Sequence, residues 1–245
     1  MDKGYGTWIA ERRSRIVERI GRAAEASGRD AREVRLLAVS KTVGVNEVIA
    51  AIGAGYTHFA ENRPQELVRK MAALSEEPDV PSAAFDMIGN LQKNKINAVL
   101  GRAGLIHSIS SLHLAEAVSS RATARIEAGS LPAAQPVLIE VNVSGEVSKS
   151  GFAPDELLGA LDTLRELPGL ELRGLMAMAP RGSGDIARRT FGGLRELRDK
   201  IRAERGLALP ELSCGMSEDF EAAVAEGSTM VRLGRVAFDP SFELE

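Results

Sequence analysis

Short apolar runs alternate with segments of helical period from residue 34 almost to the end of the chain. The runs VRLLAVSK (34–41), THFAEN (57–62), AFDMIGN (84–90), LIHSIS (105–110), PVLIEVNV (136–143), LELRGLMAMA (170–179), ELSCG (211–215) and TMVRLGRVAF (229–238) read as strands. Between them, NEVIAAIGAG, PQELVRKMAALS, SLHLAEAVSSRATARIEAG, PDELLGALDTLREL, GDIARRTFGGLRELRDKIRAERG and SEDFEAAVAEG carry apolar residues at helical spacing. Several open on Pro or an Asx/Ser cap and close at Gly, as helices do. The connection LQKNKINAVLGRAG is shorter, with Leu91, Ile96, Val99 and Leu100 at roughly helical spacing. A further helix, TWIAERRSRIVERIGRAAEASG (7–28), precedes the first strand.

Regular strand–helix alternation predicts parallel strands joined by crossover helices, and this many units in a chain of 245 residues suit a closed (β/α)8 TIM barrel over 34–240. An open doubly wound sheet is the alternative. No Pro/Ser-rich linker divides the sequence, so residues 1–245 are expected to form one domain, with no C-terminal β domain. The polar stretch SGEVSKSGFAP after the fifth strand reads as an elaborated βα loop.

Composition changes this picture little. Hydrophobic residues make up 44% and charged residues 27%, enough for a full core. With 31 Lys plus Arg against 34 Asp plus Glu, the formal charge of −3 gives no global case for nucleic acid or membrane binding, so any anion site is local. The N-terminal segment MDKGYGTWIAERRSRIVERI has neither the apolar run of a signal peptide nor that of a membrane span, and the cytoplasm is expected. The lone cysteine, Cys214, cannot form an intramolecular disulfide and reads as a small buried hydrophobe. With His58, His107 and His113 it shows no metal-ligand spacing, so no metal is expected.

In a barrel the active face lies at the C-terminal ends of the strands. Those ends carry Lys41, Glu61-Asn62, Gly89-Asn90, Glu140, Asn142, Met176 and Met178. Alternation places Lys41 on the face of Leu37 and Val39, so it enters the barrel mouth if Leu36, Ala38 and Ser40 meet the helices. Met230, Arg232 and Gly234 share a face in the same way.

The last two strand ends suggest an anion grip. In SCGMSEDFEAA, Gly215 allows close backbone approach and Ser217 is expected to cap the following helix, whose N–H groups suit a phosphate. Arg232 and the loop at Gly234 add a guanidinium and a second glycine turn. Barrel phosphate sites fall after strands seven and eight, where both segments lie. A lysine attacks an aldehyde only after losing its proton, which partial desolvation and a cationic neighbour favour. Lysine plus phosphate grip therefore fits a Schiff base with phosphorylated pyridoxal, and a Schiff-base aldolase would use the same two elements.

The stretches LLAVSKT, FAENRPQE, MIGNLQKNK, VNVSGEVSKSGF, RGLMAMAP and LSCGMSEDFEAAVAEGSTMVRLG, in this order, resemble the pyridoxal phosphate homeostasis proteins, also known as the proline synthetase co-transcribed homologue family. The resemblance implies a single barrel like the N-terminal domain of alanine racemase (fold type III of the pyridoxal phosphate proteins), binding pyridoxal 5′-phosphate without established turnover. It implies that Lys41 is the covalent cofactor lysine and that Asn62 lies near the cofactor. It further implies phosphate-binding segments at Gly215, Met216, Ser217, Arg232 and Gly234, with Ser213 close by. Four positions depart from the family pattern: Asp86 and Asn90 stand where WHFIGHLQ has histidines, Arg235 replaces Thr or Ser, and Cys214 replaces Met.

Alanine racemase sets a tyrosine from a second domain of the partner subunit against its cofactor lysine. The tyrosines here are Tyr5, in the N-terminal arm, and Tyr56, before the second strand and so at the opposite barrel face. The resemblance and the tyrosine positions thus favour a carrier that buffers pyridoxal phosphate and delivers it to apo-enzymes, with no catalytic residue assigned; a monomer is expected. A weak amino-acid racemase drawing on Glu61, Glu140 or His107 is the alternative.

Overall fold

The computed structural model describes residues 3–146, 149–182 and 184–244. Its strands are β1 (Arg35–Val39), β2 (His58–Glu61), β3 (Ala84–Met87), β4 (Ile106–Ile109), β5 (Gln135–Glu140), β6 (Leu170–Met176), β7 (Glu211–Ser213) and β8 (Met230–Leu233). They pair in chain order, all parallel, and close where β1 meets β8 with Leu37 opposite Arg232 and Ala38 opposite Leu233. The chain is thus a (β/α)8 barrel.

Around it lie α1 (Lys3–Ala26), α2 (Val45–Gly53), α3 (Pro64–Ser75), α4 (Ile96–Val99), α5 (Leu112–Glu127), α6 (Pro154–Arg165), α7 (Gly184–Arg205), α8 (Phe220–Ala225) and α9 (Arg235–Phe238). Strand alternation sorts the side chains into two cores. Leu37, Val39, Ala60, Leu105, Leu138, Met176 and Met230 fill the barrel interior. Ala38, Phe59, Phe85, Ile106, Val137, Ile139 and Val231 face outward and pack against the helices. Helix α1 buries Ile9, Ile16, Ile20 and Ala24 on one stripe and packs against α2, α8 and α9. Arg19 fixes its position on α8 through a bidentate pair with Glu221 at 2.8 and 2.7 Å. Among the described residues, no helix is long and apolar enough to cross a membrane, and no cluster of His, Cys, Asp and Glu could hold a metal ion.

Three local expectations need correction. The eighth strand ends at Leu233, its last ladder partner on β1, and 235–238 turn into helix α9 after Gly234. The sixth strand stops at Met176. Helix α8 begins at Phe220 with Asp219 in the cap position, because residues 216–219 form a tight turn in which Asp219 N and Phe220 N both donate to Met216 O. Ser217 is therefore in a turn, not at the cap. Of the polar loop after β5, 147 and 148 lie outside the described residues.

Candidate functional site

The C-terminal ends of the strands enclose a cavity of about 450 Å³. Lys41 lines it, together with Asn62, Met216, Ser217, Arg232 and Gly234. Val39 faces the barrel interior and Ser40 is buried outside it against Glu61, so alternation carries Lys41 into the cavity. Its side chain is exposed there. Ser213 and Gly215 stand behind this lining and shape it. Gly215 has φ +96°, and a Cβ there would lie 2.6 Å from Ala223 Cβ, so the turn into α8 requires glycine.

The expected anion grip is spread over two levels. At the rim, Ser217 Oγ accepts from Val236 N at 3.2 Å and ties the β7 loop to the first turn of α9. Arg235, also at the rim, pairs with Glu218 at 2.8 Å. Below the rim, Arg232 is 5% exposed and reaches across the floor. Its Nη1 donates to Ser213 O and Ser213 Oγ, both at 2.7 Å, and its Nη2 to Ala177 O at 3.3 Å. Burial lowers the pKa of this guanidinium from its ordinary value, an effect opposed by the charges of Asp219 and Glu140.

The floor continues into a polar chain. Ser213 Oγ meets His107 Nδ1 at 2.9 Å, and His107 Nε2 meets Asp86 Oδ2 at 3.2 Å. His107 is fully buried, and that burial lowers its pKa against the opposing pull of Asp86. Glu140, 4% exposed, accepts from Ser150 Oγ at 2.8 Å. Burial raises its pKa, opposed by that bond and by Arg232. Of the acid–base candidates, Glu61 does not face the cavity at all. It lies outside the barrel in a buried pair with Lys70 of α3. Sequence reading missed this pair and the His107–Asp86 contact, because their members come from separate elements. The one local signal was a lysine at position 70 on the buried stripe of α3, in register with Pro64 and Leu67.

The model of the family described as alanine racemase, N-terminal domain, matches residues 13–240. The pyridoxal phosphate homeostasis protein of Aquifex aeolicus is 39% identical over 229 residues, 93% of this chain and 96% of the relative. That of Pseudomonas aeruginosa is 40% identical over 231 residues, 94% of each. The chain belongs to the pyridoxal phosphate homeostasis protein family. Among solved structures, PipY of Synechococcus elongatus PCC7942 with PLP bound superposes with a TM-score of 0.78 at 31% identity, covering 94% of this chain and 99% of PipY. An alanine racemase of Clostridium difficile, 15% identical with a TM-score of 0.69 over 94% of this chain and 56% of that one, shares the fold.

Within the family, the two departures in FDMIGNLQ have separate surroundings. Asp86 is buried in the barrel against His107, whereas Asn90 borders a shallow depression with Lys93, Ser110 and His113. Arg235 stands at the cavity rim, and Cys214 is buried at 1% exposure.

Proposed function

We propose that this protein binds pyridoxal 5′-phosphate in the β-strand C-terminal cavity, anchors it covalently on Lys41, and serves as an intracellular buffer that delivers it to apo-enzymes. The observation carrying this reading is the arrangement of Lys41, the buried guanidinium of Arg232, and the Ser217 and Gly234 loops around one cavity. The residues fit the ligand. Its aldehyde matches a primary amine, its phosphate matches the donors of two loops, and about 450 Å³ suits a molecule of this size.

When bound, the cofactor supplies an aldehyde that condenses with an amine, with loss of water, and a pyridine ring that accepts electron density. Lys41 provides the amine. Ser217 and the backbone at Gly234 would hold the phosphate at the rim, because these segments line the cavity there while the Nη groups of Arg232 are directed to Ser213 and Ala177. Arg232 would then serve the ring end from the floor. Asn62 and Met216 close the sides. The exposed amine and the partly exposed Met178 and Met216 leave the mouth accessible to water and to incoming amines, which suits release.

The test is chemical. Protein purified with the cofactor is expected to absorb visible light, and borohydride to fix the cofactor on the peptide containing Lys41. Lys41→Ala is expected to abolish both. Colour and fixation undiminished in that variant would refute the assignment.

A further inference from the structure

Ser40, the residue before Lys41, is fully buried and has every polar group engaged. Its N–H donates to Ala60 O at 3.1 Å, and its hydroxyl to Glu61 Oε1 at 2.6 Å. Its carbonyl accepts from Val43 N at 3.1 Å and from Lys70 Nζ at 2.6 Å. Lys70 also pairs with Glu61 Oε1 at 2.5 Å, with the two side chains 1% and 0% exposed.

Stability alone is a poor reason for this pair. Two charges moved into a protein interior lose more hydration than a well-packed apolar pair would, so replacing a buried ion pair by apolar groups is often neutral or stabilising. Position 70 lies on the apolar stripe of α3, where leucine or methionine would pack. The bonding is also lopsided. Glu61 Oε1 collects Ser40 and Lys70, while Oε2, equally buried, has no partner. The pair therefore leaves its own carboxylate half satisfied while it binds Ser40 through two different atoms. Its two anchored residues each precede a cavity residue: Ser40 leads into Lys41, and Glu61 into Asn62.

We propose that Lys70 and Glu61 are positioning residues for Lys41. They act from outside the barrel by clamping the β1 and β2 ends, so that the amine is held where the cofactor aldehyde arrives. This rests on the reading of Lys41 as the covalent anchor. Pre-organisation of that kind shows in the rate of covalent capture, which a merely stabilising pair would not alter in folded protein.

The experiment uses apo-protein of the parent, Glu61→Gln/Lys70→Met and Ser40→Ala. The double variant removes both charges without stranding either, and Ser40→Ala keeps the pair but cuts its hydroxyl link to the lysine segment. Pyridoxal phosphate is added, samples are quenched with borohydride at intervals, and label on the Lys41 peptide is counted per folded molecule. The thermal midpoint of each apo-protein is measured alongside. The double variant is expected to be labelled roughly tenfold more slowly than the parent, and Ser40→Ala severalfold more slowly, whatever happens to the midpoints. If the double variant does not fold, Ser40→Ala decides by the same rate. Labelling at the parental rate in the folded variants overturns the positioning role alone. A parent that acquires no label on Lys41 overturns the anchor assignment and this inference with it.

Discussion

The Ser213 hydroxyl joins His107 Nδ1 at 2.9 Å while accepting from Arg232 Nη1 at 2.7 Å. The Asp86 carboxylate accepts, which places a ring hydrogen on His107 Nε2, and in the neutral ring that burial favours Nδ1 then accepts the Ser213 hydrogen. The floor of the cavity is held in one orientation by a neutral histidine in a single tautomer.

That tautomer makes a pH prediction. The folded pKa of His107 is depressed, chiefly by burial, so the unfolded chain takes up the proton first as pH falls. The stability tied to His107 is complete above about pH 6.5, the unfolded-state value, and is lost as pH falls through that value toward the folded one. Glu140 works in the opposite sense, its raised value removing stability as pH rises, so the comparison must be a difference. The thermal midpoint of the parent minus that of His107→Gln is expected to shrink as pH is lowered below neutrality. A difference that stays flat from weakly acid to weakly alkaline pH would show that His107 is not buried as a neutral base.

The proposed role of Arg232 at the ring end of the cofactor can be told apart from a role at the phosphate. A hydrogen bond to a charged group contributes about 1.5–3 kcal/mol, so Arg232→Met is expected to weaken cofactor binding roughly tenfold or more. Its contacts lie on the floor, at Ser213 and Ala177, so pyridoxal without the phosphate should lose a similar factor. The thermal midpoint should fall as well, because the variant leaves those buried acceptors short of a donor. Titrating both ligands by absorbance checks this. A loss confined to the phosphorylated form would move Arg232 to the phosphate.

Gly89 is a steric test of the Asn62 wall. A Cβ there would lie 2.1 Å from Asn62 O and 2.7 Å from Asn62 Cα, and backbone cannot swing away as a side-chain tip can. Ser108 Oγ holds the same segment by donating to Gly89 O at 2.6 Å. Gly89→Ala is expected to cost about 1–3 kcal/mol in denaturant unfolding and to weaken cofactor binding, since Asn62 must shift. Gly159→Ala, on the exposed face of α6 with no atom within 4 Å, is the control and should be neutral or stabilising by up to about 1 kcal/mol.

These predictions divide along what sequence could reveal. The barrel was legible because each strand is a short apolar run closed by turn chemistry, and alternation alone phased Lys41 with Leu37 and Val39 toward the cavity. The cluster of Asp86, His107, Ser213 and Arg232 was not, because its members come from four strands and meet only once the barrel closes. Lys70 was hidden differently. A lysine in a charged helix reads as solvated surface, and only the pairing with Glu61 explains its burial. The strand expected to run to 238 failed because VAF is apolar in α9 for the same reason it would be in β8: Val236, Ala237 and Phe238 are buried either way.

Carrier and racemase make different demands on this cavity. Racemisation needs a proton donor or acceptor on each face of the substrate carbon, and Lys41 can serve only one. Neither tyrosine is placed to serve the other. Tyr5 lies on α1 with its hydroxyl donating to Phe238 O at 3.5 Å, and Tyr56 is 2% exposed, stacked on Phe238, and borders the depression at the strands' N-terminal end. The carboxylates lining the cavity among the described residues are engaged as well, Glu218 with Arg235 and Asp219 with Met216 N. Holo-protein mixed with an apo pyridoxal enzyme is therefore expected to restore its activity faster than free-cofactor release allows, while alanine and serine keep their optical purity. Loss of optical purity at about 1 turnover per second or faster, the ordinary enzyme range, would overturn the carrier reading in favour of a racemase. Reactivation no faster than release into solution would remove direct delivery and leave storage as the role of the site.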